Sequence, residues 1–541
     1  MDSPQTRVRA YHHRTKHQLQ RYAAGPETLD WDAQPDPFRR WAGAPLTPLP
    51  LVADRIAAAW DDLFVPGRIT PRTVDRNAVA ALLELSFALT AWKQSGPDRW
   101  ALRVNPSSGN LHPTEAYVVA QGIAGLADGL HHYAPREHAL ELRASPLQAS
   151  QGASSLWIGL SSVQWREAWK YGERAFRYCQ LDTGHALGAL RYAAATLGWH
   201  ARVVSGIGHT ELAALLGLDR VADFGEAEHE EPELLVQMVP SRQPIQAPGP
   251  WADTVRWQGQ ANRLDARPMY RWPVIDDVAR ATREPMAAAS AHTSPPVLLP
   301  RAPAARGAEP AALLIRQRRS AQHFDREARM PAESFWRIAH ALMPKAGVPW
   351  DAWPHTPRVH ALLWAHRVEG LAPGAYLLPR SESAGALLGD ALHIGNGWQL
   401  VKNAPPELPL QCLVEHPTLS RTLRTLSCHQ GIASDACFAV SLLAEFDTVT
   451  DAQPWRYRQL YQEAGLIGQV LYMQAEAEGF RGTGIGCYFD DAVHELLGLQ
   501  GERVQVLYHF TVGVPGVDNR IATEPAYAGR APIPEQLHAT P

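Results

Sequence analysis

The sequence predicts an α+β fold built twice, as two similar halves fused into a pseudo-dimer. Two observations predict it. Segments running from Gly184 through Gly198 to Leu218 and from Gly465 through Gly479 to Leu499 align at a constant offset of 281 residues. Both segments also repeat one order of elements: a long helix, a glycine stop, a short stretch, a second helix and an apolar strand.

Each element has a local reason. Residues 183–197 carry Ala, Leu and Tyr at helical spacing, and residues 464–478 do the same with Leu466, Val470, Leu471 and Met473. Gly198 and Gly479 follow at the helix C-caps, where a left-handed residue ends the helix. The second helices end in Leu-Leu-Gly-Leu at 215–218 and 496–499, and the apolar runs 234–239 and 504–514 read as closing strands. Upstream, residues 130–136 match 373–380 more loosely. The halves therefore span 45–245 and 305–541, after an N-terminal arm of 1–44. Between them, 246–304 reads as a linker rich in Pro, Ala and Arg, with Trp251, Trp257, Tyr270 and Trp272 predicting that part of it packs.

Composition excludes several classes. A chain of 541 residues exceeds one domain core, and 45% hydrophobic with 20% charged residues is ordinary for a globular protein. Net charge −4 gives no nucleic-acid footprint. The polar N-terminus lacks a signal-peptide core, and no apolar run reaches the roughly 18 residues of a membrane span, so a cytoplasmic protein is expected. Five Cys without a CxxC pair predict no disulfide framework. Eighteen Trp read mainly as core packing. The acidic stretch Glu226 to Glu233 reads as a solvated loop. His12, His13 and His17 could share a helix face, but the segment reads as a mobile arm. Cys428 and Cys437 read as packing cysteines, so no metal is expected.

Four motifs carry candidate chemistry. Residues 103–115 (Arg103, then Asn105, Pro106, Ser107, Ser108, Gly109, Asn110, through to Glu115) force a tight turn that presents hydroxyls and amides to the polar edge of a planar ligand; a plain capped turn is the alternative. Arg316, Arg318, Arg319 and Ser320 gather guanidinium groups and a hydroxyl at a helix end, either an anion site or a solvated basic end. Arg520 could reach the same anion. The stretch Gly482, Thr483, Gly484, Ile485, Gly486 lets backbone N–H groups approach a ligand, without being the dinucleotide fingerprint. Lys170 and Tyr171 could supply an acid or base if burial lowers the Lys pKa, although a surface helix can also hold such a pair.

Together these motifs resemble the nitroreductase superfamily, and most specifically its SagB/ThcOx-type branch of FMN-dependent azoline dehydrogenases. The resemblance implies two nitroreductase-like domains, each an antiparallel-rich sheet flanked by helices, with FMN between them. It assigns cofactor binding to Arg103, Pro106, Ser107, Ser108 and Asn110 from the first half and to Arg316, Arg318, Arg319, Ser320, Gly484, Ile485, Gly486 and Arg520 from the second. Lys170 and Tyr171 become the catalytic pair. The reverse combination is poor, with only 71–74 and 354–357 at the corresponding places, so one competent site per chain is expected. The implied reaction is dehydrogenation of an azoline in a peptide or related natural product by hydride transfer to flavin N5. The alternatives are NAD(P)H-dependent reduction of nitro compounds or quinones, and a non-catalytic scaffold that binds a synthetase. Expected partners are a small-molecule or peptide substrate and a biosynthetic partner enzyme, with no nucleic acid and no membrane, in a pseudo-dimeric monomer or low-order oligomer.

Overall fold

A computed structural model describes residues 2–146, 154–240, 246–249, 251, 255–286, 302–395, 398–516 and 518–530. Each half is built on an antiparallel sheet. In the first, the strands Gly129–Ala134, Thr114–Gln121, Ser155–Ser162, Glu231–Val239 and His200–Val203 lie side by side in that order. In the second, Gly374–Leu378, Val359–Ala365, Phe438–Glu445, Val504–Gly513 and Arg481–Ile485 repeat the order. The two-half α+β fold is as the repeat predicts.

The 281-residue offset survives in three dimensions. Helix Ala175–Thr196 corresponds to Arg456–Ala477, and His209–Leu216 to Asp490–Leu497. Gly217 and Gly498 both stop their helices in the left-handed conformation, at φ 66°. The two long helices cross at their closest where Gly184 meets Gly465. A Cβ on Gly184 would lie 2.0 Å from Gln462 O, and one on Gly465 would lie 2.0 Å from Leu181 O. Only glycine permits this approach, which accounts for the glycine at this position in both halves.

The halves are also stitched by their termini. The hairpin Leu89–Ser95 and Asp98–Arg103 of the first half takes Ala522–Pro525 from the end of the second as its third strand. The N-terminal arm, expected to be mobile, contains an ordered helix. Ser3 caps Pro4–Arg14 and Val8, Tyr11 and His12 are buried. His12 contacts Tyr457 Oη at 3.2 Å and Gln505 at 3.1 Å, both in the second half. Arg177 Nη2 of the first half donates to His12 O at 2.5 Å. The polar residues that made the arm look solvated are its contacts with both halves.

The acidic stretch needs the same correction. Glu226 stays exposed, but Glu230 pairs with buried Arg39 at 3.0 Å, and Arg458 bridges Glu231 and Glu233. Burial of these carboxylates is tolerated because each has a guanidinium partner. Part of the linker packs: Arg256–Trp257 adds to the first sheet, and helix Pro273–Ala281 buries Ile275 and Val278. Residues 287–301 of that linker lie outside the described residues. No helix among the described residues is long and apolar enough to cross a membrane.

Candidate functional site

A cavity of about 680 Å³ opens between the halves. Its first wall is the turn 105–112, set at the end of strand Asp98–Arg103. Gly109, Asn110 and His112 all adopt positive φ (59°, 61° and 54°), which is uncommon for the two non-glycine residues. Local bonds hold them there. Asn110 Nδ2 donates to Ala101 O at 2.9 Å, while His112 N–H donates to Ser107 Oγ at 2.8 Å. Asp182, on the long helix, accepts from Ser108 N–H at 3.1 Å and from its hydroxyl at 3.0 Å. Burial pushes Asp182 up to about 7, partly offset by the Ser107 and Ser108 bonds. Glu115, at the end of the motif, turns away from the cavity to pair with Arg166 at 2.5 Å and His132 at 3.0 Å.

The second half supplies the facing wall. Arg318 is buried, and its Nη2 donates to Arg103 O and Val104 O at 3.1 Å each, so the arginine motif of one half touches the turn motif of the other. Arg319, Arg481 and Lys93 join it on the cavity wall. Burial and the like charges of Arg318 and Arg481 push Arg319 down to about 10. Lys93 is lowered by burial and then by Arg319 and Arg481. Against these cations stands Glu476, 3.4 Å from Arg481. A cationic group this dense, with little carboxylate to balance it, fits a phosphate. Among the described residues, Asn105 Oδ1, His112 Nδ1 and Arg318 Nε are also buried without a hydrogen-bond partner, at residues that line the same cavity. Donor set and orphaned polar atoms together fit a ligand with an anionic tail and a polar ring edge.

Pro106, Ser107, Ser108, Asn110, Arg103, Arg318, Arg319, Ser320, Gly484, Ile485, Gly486 and Tyr171 all line this cavity. Arg316 does not: it pairs with Asp54 and, at 3.7 Å, with Glu84. Arg520 does not either, since its exposed side chain closes back on Asp518 at 2.7 Å. The glycines have a different physical reason from the one the sequence suggested. A Cβ on Gly484 would lie 1.7 Å from Tyr508 Oη, and one on Gly486 would lie 2.1 Å from the Tyr178 ring. Gly484 N–H itself donates to Tyr472 Oη at 3.2 Å. Their space is taken by tyrosines.

Lys170 and Tyr171 end helix Gln164–Tyr171 and meet the turn at Gly109. A Cβ there would be 2.5 Å from Tyr171 Oη and 3.2 Å from Lys170 Nζ. Burial lowers Lys170, against the attraction of Glu167, and burial raises Tyr171 strongly. Sequence reasoning missed Asp182, His185 and Tyr178, which line the cavity from one face of the long helix. Their spacing of four and three residues in an otherwise Ala- and Leu-rich helix was the available signal. Lys93 gave none.

The counterpart of this cavity in the pseudo-symmetric arrangement is nearly closed. Val203, Ser205, His209 and Arg458 line a space of only about 40 Å³. Arg458, 281 residues after Arg177, fills it with its bonds to Glu231, Glu233 and Thr282.

The two sheet-and-helix halves around this cavity have a nitroreductase-like fold. The nitroreductase family model matches residues 69–226, a stretch within the first half. A solved structure from Anabaena variabilis, described as a nitroreductase, is similar with TM-score 0.68 at 21% identity, covering 94% of this chain and 99% of that one. The likeness therefore takes in both halves. The trifolitoxin-processing protein TfxB of Rhizobium leguminosarum bv. trifolii is 36% identical over 96 residues, 15% of this chain and 26% of that protein. The Methanocaldococcus jannaschii protein MJ1384, described as a nitroreductase, is 27% identical over 128 residues, 22% of this chain and 64% of that protein. Both matches span less than two thirds of the relative's own length.

Proposed function

We propose that the chain is an FMN-dependent oxidoreductase with one flavin site, set between its halves, that passes electrons from NAD(P)H to a nitro compound or quinone. The observation that carries this reading is the contrast between the two cavities: about 680 Å³ with a cation-rich wall against about 40 Å³ filled by an ion-paired arginine. Bound there, FMN would supply reversible two-electron chemistry. Arg318, Arg319, Arg481 and Lys93 would neutralise its phosphate, with the Ser320 hydroxyl beside them. The turn 105–112 would border its ring, and Tyr178, Tyr472 and Tyr508 would exclude water from one side. The cavity is not sealed from solvent, so a nicotinamide would have a route to the ring.

The spectrum and flavin content of the purified protein test this directly. One FMN per chain is expected, bleached rapidly by NADPH without oxygen. Two FMN per chain would overturn the single site, and a colourless protein unable to take up FMN would favour the scaffold reading.

A second reading, azoline dehydrogenation, draws support from the Lys170–Tyr171 pair seated against Gly109 at the cavity. The partial likeness to TfxB, a trifolitoxin-processing protein, points the same way. In this reading Lys170, deprotonated more easily because it is partly buried, accepts the carbon-bound proton or orients Tyr171 to do so. Oxidation of an azoline peptide with no response to NADPH would select it over the reductase.

A further inference from the structure

One hydrogen-bonded relay crosses the junction of the halves and ends at the cavity. His185, on the long helix of the first half, lies between two residues of the second. Its Nδ1 is 3.3 Å from Gln469 Oε1, and its Nε2 is 3.1 Å from Tyr508 Oη. Gln469 is on the opposing long helix and Tyr508 on strand Val504–Gly513. Glycines make the room. A Cβ on Gly468 would lie 2.6 Å from His185 Cε1, and one on Gly188 would lie 2.7 Å from Gln469 Cγ. His185 and Tyr508 both line the cavity, and the Tyr508 hydroxyl packs against Gly484.

The pseudo-symmetric positions carry none of this. The residues 281 positions away from His185 and Gln469 are Leu466 and Gly188. Strand register pairs His200 with Val239 and Arg481 with Gly513, which puts Leu234 in the place of Tyr508. Leu234 lines the nearly closed counterpart cavity. The fold is therefore satisfied by apolar residues or glycine at these three places, and a polar relay at the open cavity points to a ligand.

The direction of the bonds follows from the groups themselves. A Gln Oε1 only accepts, so His185 Nδ1 carries the proton. Burial pushes His185 down to about 3 and Tyr508 far up, so both are neutral near pH 7. The neutral ring then has a bare Nε2, which takes the Tyr508 O–H. Only lone pairs of that hydroxyl are left for the cavity. Gly484 N–H, beside it, already donates to Tyr472 Oη at 3.2 Å.

We propose that Tyr508 is a hydrogen-bond acceptor for a ring N–H of the bound ligand, with His185 and Gln469 as the positioning residues that fix this polarity. For the identity of the ring the proposal rests on the FMN reading. Two electrons and one proton convert a bare ring nitrogen of FMN, N5, into an N–H. An acceptor with no proton to give repels the bare nitrogen and holds the N–H, so it favours reduced FMN over oxidised. The other flavin N–H, at N3, sits between two carbonyl oxygens that need donors, whereas the Tyr508 hydroxyl and the engaged Gly484 amide offer none.

The midpoint potential of bound FMN, and the affinities for oxidised and reduced FMN, are measured on the full chain. Tyr508→Phe should keep oxidised FMN and weaken reduced FMN about tenfold, a fall of about 30 mV for a two-electron couple. His185→Leu should move the potential the same way, because the freed Tyr508 proton can then turn to the bare nitrogen. In the wild-type chain without ligand, NMR of the imidazole nitrogens should show His185 as the Nδ1–H tautomer from about pH 5 to about pH 9. An Nε2–H tautomer, an unchanged potential in Tyr508→Phe, or an equal loss of both affinities would overturn the relay and leave the flavin reading standing. A wild-type chain that takes up no FMN would overturn that reading and the proposal together.

Discussion

Lys170 shows how far a single side chain can be argued. It sits beside Tyr171 at a helix end and its pKa is lowered by burial, yet it is not part of the cavity wall that Tyr171 lines. A group that acts on protons without gripping the cofactor should separate binding from turnover. Under the azoline-oxidising reading, in which Lys170 handles the proton, Lys170→Ala is expected to retain FMN by absorbance and to lose turnover by at least about a hundredfold, the scale of general acid–base catalysis. Full activity in that variant would remove the residue from the chemistry. Its neighbours in the turn were legible because Pro, Gly and Asn announce irregular backbone. Arg316 and Arg520 looked equivalent to Arg318 in sequence. Only the fold turned the first toward Asp54 and the second toward Asp518.

At the scale of elements, the crossing of the two long helices rests on Gly184 and Gly465. Gly465→Ala adds a methyl group where a backbone carbonyl already stands, and should lower stability by about 1–3 kcal/mol in urea denaturation. Three strands of the first sheet are joined by His132, which bonds Glu115 at 3.0 Å and Glu141 at 2.9 Å. Burial alone would lower this imidazole, but the two carboxylates outweigh it and push it up to about 9. A folded-state pKa above the unfolded one gives stability that is complete below about pH 6.5 and lost as the pH rises through about 9. The urea midpoint should therefore fall between about pH 7 and pH 9.5, and His132→Gln should flatten that fall.

The whole molecule is held together by a buried charge that belongs to neither half alone. Asp490, at the start of helix Asp490–Leu497, pairs with Arg174 and Arg177 of the first half at 2.9 Å each and accepts from His17 N–H of the arm at 2.9 Å. The guanidinium pair keeps its carboxyl far below the usual range despite burial. Asp490→Asn leaves two buried arginines without a counter-charge, and a loss of about 3–5 kcal/mol in global stability is expected. An unchanged urea midpoint would show that the halves do not depend on this junction.

The sequence by itself determined the two similar α+β halves, the stops of their helices and the residue types that gather at one cavity. These follow from periodicity and from glycine or proline backbone preferences, which are local and repeat with the chain. It misjudged the arm and the Glu226 to Glu233 stretch, because a polar residue reads as solvated until its partner is known. Arg177, Arg458, Tyr457 and Arg39 lie from 160 to more than 400 residues away from the groups they satisfy. Tertiary structure alone decided which arginines face the cavity and that tyrosines occupy the space beside Gly484 and Gly486. Each of these depends on which distant side chain arrives at the same place, and no local pattern in a chain encodes that.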